Sequence, residues 1–147
     1  VKKSGYPGMK ILQFAFDSRE ESDYLPHNYT HNCVVYTGTH DNDTVMGWYD
    51  TLKGADKKLC DDYLRLKNAD GEPIPREQLP WEFVRAAMSS VADLAIIPMQ
   101  DYLGLGSEAR INIPSTLGIN WKWRMGNGDF TKELAGRIRS MTKLYGR

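Results

Sequence analysis

The residues Thr39-His40-Asp41-Asn42-Asp43 set an imidazole, two carboxylates and a carboxamide side by side, directly after the apolar run Cys33-Val34-Val35-Tyr36. Donor, acceptor and charge functions are thereby offered at the end of one strand. In a βα-barrel that end is where chemistry is done. Asp and Asn after a strand are also common turn formers and helix N-caps. Asp43, immediately before a helical pattern, reads as such a cap. His40 and Asp41 come too early to cap, and for them a site role and a turn role stand equally open.

Further candidates lie downstream in irregular chain. Arg110 and Asn112 carry fixed donors suited to hydroxyls, and the indoles of Trp121 and Trp123 could stack on the C–H faces of a sugar. Core packing for the tryptophans and a solvated surface position for Arg110 are the competing readings. The glycines of Gln100-Asp101-Tyr102-Leu103-Gly104-Leu105-Gly106 lack the order of a phosphate cradle and are read as turn and packing glycines. His27 and His31 are four apart but sit in a loop with Pro26 and Asn28, which argues against a zinc pair. Neither a metal nor a cofactor is expected.

Three apolar, β-rich runs must position these residues: Met9 to Phe16, Cys33 to Gly38, and Leu94 to Met99 with Pro98 at its end. Helical patterns lie between and after them. One is capped by Asp43-Thr44 and runs through Trp48, Tyr49 and Leu52; a second covers Asp56 to Leu66. A third runs from Pro80 through Val91, and a basic one from about Thr131 to Leu144. Asp17 to Asn32 is a long polar loop of the kind that carries function, and Asp70-Gly71-Glu72-Pro73 is a strong turn. Strands alternating with helices predict an α/β fold with a parallel sheet. Three strands make a small sheet with open edges, so the architecture reads as part of something larger. Val1-Lys2-Lys3 before Gly5 and Pro7 reads as the tail of a preceding helix.

Lys plus Arg equal Asp plus Glu at 19 each, so no long-range field favours nucleic acid or an anionic membrane. No apolar run approaches the length of a membrane span. The two cysteines, Cys33 and Cys60, lack C-x-x-C spacing. With no signal peptide in view they suggest a reducing, cytoplasmic setting.

Three blocks carry a resemblance to a known family: Pro7-Gly8-Met9-Lys10-Ile11-Leu12-Gln13-Phe14-Ala15-Phe16-Asp17; Leu25-Pro26-His27-Asn28-Tyr29 leading into Tyr36 to Thr44; and Gln100 to Pro114. In order and spacing they resemble the 4-α-glucanotransferases (amylomaltases). The resemblance implies that residues 1–147 are the C-terminal portion, about three βα units, of a (β/α)8 TIM barrel that is incomplete as a barrel on its own. It implies transfer of α-1,4-glucan segments to the 4-hydroxyl of glucose or a maltooligosaccharide by a retaining route, which needs a nucleophile and an acid/base about 5 Å apart. Asp41 falls on the third carboxylate, which binds the sugar at the cleavage point and favours its oxocarbenium-like form. His40 falls on a residue bonding the same sugar, Phe14 on the acceptor side, and Asn112 on a sugar contact; Arg110, Gln13 and Trp121 match less strictly. The family's nucleophile Asp and acid/base Glu belong to blocks that these residues do not include. The chain alone is therefore expected to be inactive, with glucan binding or self-association through open sheet edges as the alternative roles.

Overall fold

The computed structural model describes residues 4–147. The helix-tail reading at Val1 to Lys3 lies outside them. Three short strands, β1 (Gly8–Ile11), β2 (Cys33–Tyr36) and β3 (Leu94–Ile96), form a parallel sheet in the order β1-β2-β3. Met9, Val34 and Leu94 share one rung, and Ile11, Tyr36 and Ile96 the next but one. Helices α1 (Val45–Tyr49), α2 (Gly54–Leu64), α3 (Leu79–Met88), α4 (Met99–Tyr102) and α5 (Lys132–Leu144) complete the fold. The α/β, all-parallel expectation holds.

Pleating sends Cys33 and Val35 inward to pack with Tyr29, Ala87 and Ala92. The opposite face is uncovered, with Met9 55 %, Leu94 52 % and Ile96 43 % exposed. A larger core joins Leu12, Phe16, Val45, Met46, Cys60, Leu66 and Phe83 beneath α1, α2 and α3. A third cluster sets Met141 of α5 against Trp81, Val84 and Met88 of α3. The Arg137 guanidinium lies 4.0 Å from the Trp81 ring centre, and Arg147 donates to the carbonyls of Met88, Ser90 and Ala92. Arg137 thus fixes α5 to α3, and Arg147, just beyond α5, ties the C-terminus to the end of α3 and the turn before β3.

Several element bounds differ from the sequence patterns, each for a local reason. The run Met9 to Phe16 stops being a strand at Ile11: Leu12–Phe14 is a 3-10 turn closed by Ala15 N–H donating to the Leu12 carbonyl. That turn buries Leu12 and Gln13 and leaves Phe14 49 % exposed. β2 ends at Tyr36 rather than Gly38. Met99 does not belong to β3. Pro98, lacking the ladder donor, instead sits at the N-cap of α4, a one-turn helix the sequence pattern left irregular. The first helix is capped by Thr44, whose Oγ1 accepts from Gly47 N–H at 3.1 Å, and not by Asp43; it ends before Leu52. α2 ends at Leu64 because Arg65 takes a left-handed conformation (φ 57°), so Leu66 enters the core from beyond the helix. α3 ends at Met88 and leaves Val91 outside it.

In the polar loop His27 lies between the Tyr63 hydroxyl and the Glu21 carboxylate, and Asn28 donates to Glu21 and to the Ser22 carbonyl. Its polarity is consumed in holding the loop to α2. Cys60, which the pattern placed only in a charged helix, is fully buried, and burial raises its thiol well above the usual range. Both thiols are free.

Candidate functional site at the carboxyl end of the sheet

At the ends of β2 and β3 most of the polar side chains singled out above converge. Asn42 shapes the turn after β2. Its Oδ1 accepts from the Thr39 N–H at 2.8 Å and from Thr39 Oγ1 at 2.9 Å, an Asx-type closure that leaves His40 and Asp41 at the apex. Both are about half exposed, with side-chain exposures of 55 % and 49 %.

Residues far along the chain then fix the apex. Asn112 Nδ2 donates to Asp41 Oδ1 at 2.8 Å, and the Asn112 backbone N–H donates to the His40 carbonyl at 3.1 Å. Arg110 donates to the Asp41 carbonyl through Nη2 at 2.8 Å and to the Asn112 carbonyl through Nε at 2.9 Å. Its guanidinium is consumed as a brace, with both bonds going to backbone oxygens. His40 Nε2 lies 3.4 Å from Asp41 Oδ1, and the imidazole stacks on Trp121 with ring centres 5.1 Å apart and planes tilted by 36°. Trp121 reaches this position from a left-handed backbone (φ 60°), secured by its N–H donating to the Ile111 carbonyl at 2.7 Å.

The structure therefore brings Asp41, His40, Asn112, Arg110 and Trp121 together. Phe14 does not join them; it stands edge-on to Tyr24 with ring centres 5.8 Å apart. Gln13 supports the rim from the 3-10 turn after β1: its Nε2 donates to the Asp43 carbonyl at 2.8 Å, and a Cβ on Gly38 would lie 2.5 Å from that nitrogen. Asp43 binds the Thr44 N–H and accepts from Ser107 Oγ at 2.7 Å. It joins the loops after β2 and β3 rather than capping a helix. Beside the apex opens a cavity of about 360 Å³, with Met9, Tyr36 and Ile96 of the uncovered sheet face on one side and His40, Asn42 and Arg110 on the other.

Three contributors escaped the sequence reading. Asp101 lies in a stretch read only for its glycines, Ser107 directly follows that stretch, and Thr37 lies in the run read as the second strand. The only signal for Asp101 was a carboxylate one residue after Gln100 in a run that continues a strand. It is 2 % exposed, and burial in apolar surroundings raises its carboxyl to about 6, against two hydrogen bonds that oppose the shift. A raised native pKa means that the folded state holds the proton more tightly than the unfolded chain. The associated stability is present below pH 4 and is lost as pH climbs through about 6. Between pH 4.5 and 7 the expected loss is roughly 2 kcal/mol, part of the full effect having already been lost by pH 4.5. Urea unfolding at pH 4.5 and 7 checks this: Asp101→Asn should gain on the native chain toward neutral pH, and a pH-independent gap between the two would disprove it.

Chemically, the apex presents a carboxylate with one oxygen oriented by an amide and the other without a protein hydrogen bond among the described residues. An aromatic-backed imidazole lies beside it. Such a group accepts hydrogen bonds from a polyhydroxylated ligand and lays negative charge along one side of it. Among the described residues no group of His, Cys, Asp or Glu is arranged to hold a metal ion.

Comparison with known proteins identifies the family. A family model described as 4-alpha-glucanotransferase matches residues 1–129. A 4-alpha-glucanotransferase of Clostridium butyricum is 50 % identical over 147 residues, covering 99 % of this chain and 29 % of the relative. That of Thermus thermophilus is 48 % identical over 143 residues, covering 95 % and 28 %. The chloroplastic/amyloplastic enzyme of Arabidopsis thaliana is 46 % identical over 149 residues, covering 99 % and 25 %. In three dimensions an amylomaltase from Streptococcus agalactiae in complex with acarbose superposes with a TM-score of 0.89 at 35 % identity, over 99 % of this chain and 28 % of that one. The chain thus spans between a quarter and a third of the length of these relatives. With the match running through the Asp41 loop and the Arg110–Asn112 brace alike, the chain belongs to the 4-alpha-glucanotransferase family.

Proposed function

We propose that residues 1–147 supply the transition-state-stabilising rim of a 4-α-glucanotransferase that moves α-1,4-glucan segments to the 4-hydroxyl of glucose or a maltooligosaccharide with retention. The observation that carries this is the fixed Asp41 carboxylate, held by Asn112 beside the His40–Trp121 stack. Asp41 binds hydroxyls of the sugar at the cleavage point and opposes the positive charge that develops there. His40 and Asn112 bond the same sugar. Arg110 acts on it indirectly, by holding the Asp41 and Asn112 backbones in place. Phe14, exposed at the end of β1, lines the acceptor side.

The sheet belongs, on this reading, to a (β/α)8 barrel. The supports are its all-parallel pairing, its uncovered apolar face and its two unpaired edges, β1 and β3. In the full enzyme that face lines the barrel interior, and the edges pair with neighbouring strands. Alone, the same edges favour self-association. Among the described residues no helix is long and apolar enough to cross a membrane, and a cytoplasmic setting is our proposal for this chain; the relatives from Arabidopsis thaliana, Solanum tuberosum and Oryza sativa are named chloroplastic/amyloplastic.

A retaining transfer needs a nucleophile and an acid/base about 5 Å apart flanking the scissile bond. The rim offers Asp41 in neither role. The 147-residue chain is therefore expected to form no glucose or maltotetraose from maltotriose, while binding acarbose or maltoheptaose at millimolar concentration in a calorimetric titration. Product formation would overturn the first expectation. Absence of heat with the native chain would overturn the second.

A further inference from the structure

The loop from Thr37 to Val45 is bridged at its base by one buried carboxyl. Asp101 Oδ2 accepts from Thr37 Oγ1 at 2.6 Å, and Oδ1 accepts from the Val45 backbone N–H at 2.9 Å. Thr37 is the first residue after β2 and Val45 the first of α1, so the two donors mark where the loop leaves the strand and where it enters the helix. Thr37 and Val45 are completely buried, and Asp101 nearly so. Asp101 is itself held on α4, directly after β3, so the bridge ties the end of β3 to both ends of the loop.

We propose that Asp101 is a positioning residue of the site: by clamping both ends of the 37–45 loop it sets where His40 and Asp41 stand relative to Asn112 and Trp121. The consequence for ligand binding rests on the glucan reading given above; the positioning itself does not.

The choice of residue type carries the argument. A carboxyl in apolar surroundings is costly, and an apolar side chain would fill the same volume without that cost. What an apolar side chain cannot do is accept two hydrogen bonds in directions set by one rigid planar group. Both oxygens are used, one for each end of the loop. The other ties act inside the loop or toward its apex: Asn42 on Thr39, Gln13 on the Asp43 carbonyl, Arg110 on the Asp41 carbonyl, Asn112 on His40 and Asp41, and Ser107 on the Asp43 carboxylate. They shape the loop but leave its base free to splay. The charged group nearest Asp101 is Asp43, on the same loop, which disfavours its ionised form further.

Asparagine at 101 separates geometry from charge. Its Oδ1 can accept from Val45 N–H while its Nδ2 donates to Thr37 Oγ1, since a hydroxyl accepts as readily as it donates. Thr37→Val removes one bond in nearly the same volume, and Asp101→Leu removes both.

The test uses proton NMR on the 147-residue chain, following the nuclear Overhauser contact between the His40 and Trp121 rings and the side-chain amide signals of Asn112, together with thermal melting. Thr37→Val and Asp101→Leu are expected to weaken the ring contact and move the Asn112 signals. Phe83 and its neighbours should stay as in the native chain, and Asp101→Asn should restore the native pattern. Acarbose affinity is expected to fall about tenfold in Thr37→Val, the scale of one buried hydrogen bond lost. If Asp101→Leu does not fold, Thr37→Val decides alone. Lowered melting temperatures with native His40, Trp121 and Asn112 signals would reduce Asp101 to a packing role and overturn the proposal. Local changes as expected, with no acarbose binding even by the native chain, would uphold the positioning and overturn the glucan reading instead.

Discussion

Asp41→Asn, introduced into a complete glucanotransferase bearing this rim, is expected to lower turnover about 10²–10³-fold, the usual cost of losing one preorganised electrostatic partner of a transition state. The substitution is nearly isosteric. Asn112 Nδ2 still finds a carbonyl oxygen at position 41, the Arg110 brace grips only the backbone carbonyl, and the His40–Trp121 stack does not involve the carboxylate. The protein should therefore melt close to the native temperature, because a half-exposed charge contributes little to stability. What changes is the charge on the face where the sugar becomes cationic. Ground-state binding of a neutral sugar involves hydrogen bonds that an amide partly replaces, so KM should move far less than kcat. A kcat within about threefold of the native enzyme would remove Asp41 from its assigned role, and a raised KM with kcat unchanged would make it a binding group only.

Asp41 and His40 were legible because they lie together at the end of an apolar run, and position alone set them at a rim. Their partners were not legible as partners. Asn112 bonds Asp41 across 71 positions and Arg110 reaches its carbonyl across 69, and no local pattern predicts such pairings. Residue type suggested hydroxyl recognition for Arg110, yet the fold turned its guanidinium to backbone carbonyls. Asp43 shows the converse error. Its place before a helix fits a cap, but Thr44 beside it also caps, and the tertiary bond to Ser107 decided between them. Asp101 was invisible because a buried carboxyl announces itself only through what surrounds it. At the level of elements, the sequence patterns located every strand and four of the five helices. Near the rim the strand ends shifted: the 3-10 turn Leu12–Phe14 ends β1, and Pro98 turns the end of β3 into α4.

The largest loss of stability is expected from Phe83→Ala, and its first local effect should appear at the site. Phe83 is fully buried in the main core, edge-on to Trp48 at 5.9 Å and to Tyr49 at 6.2 Å between ring centres. Truncation removes the transfer energy of the ring and leaves a cavity lined by residues of three helices, a combined cost of about 3–5 kcal/mol. Against a total of about 5–15 kcal/mol for a domain, that is a large fraction, equivalent to a melting point lower by about 10–15 °C. α1 has too few residues to hold together by its own backbone bonds and depends on the core beneath it. Trp48 and Tyr49, the two partners of Phe83, are its last residues. Its first residue, Val45, donates to Asp101, and its cap Thr44 follows the loop that bears His40 and Asp41. Loosening α1 therefore frees one end of that loop. Hydrogen exchange should show the Val45 and Gly47 amides opening faster in Phe83→Ala at temperatures where α5 amides still match the native chain, and Phe83→Leu should recover most of the protection. Uniform acceleration across all helices would mean that the core and the rim melt as a single unit and that α1 has no separate hold on the site.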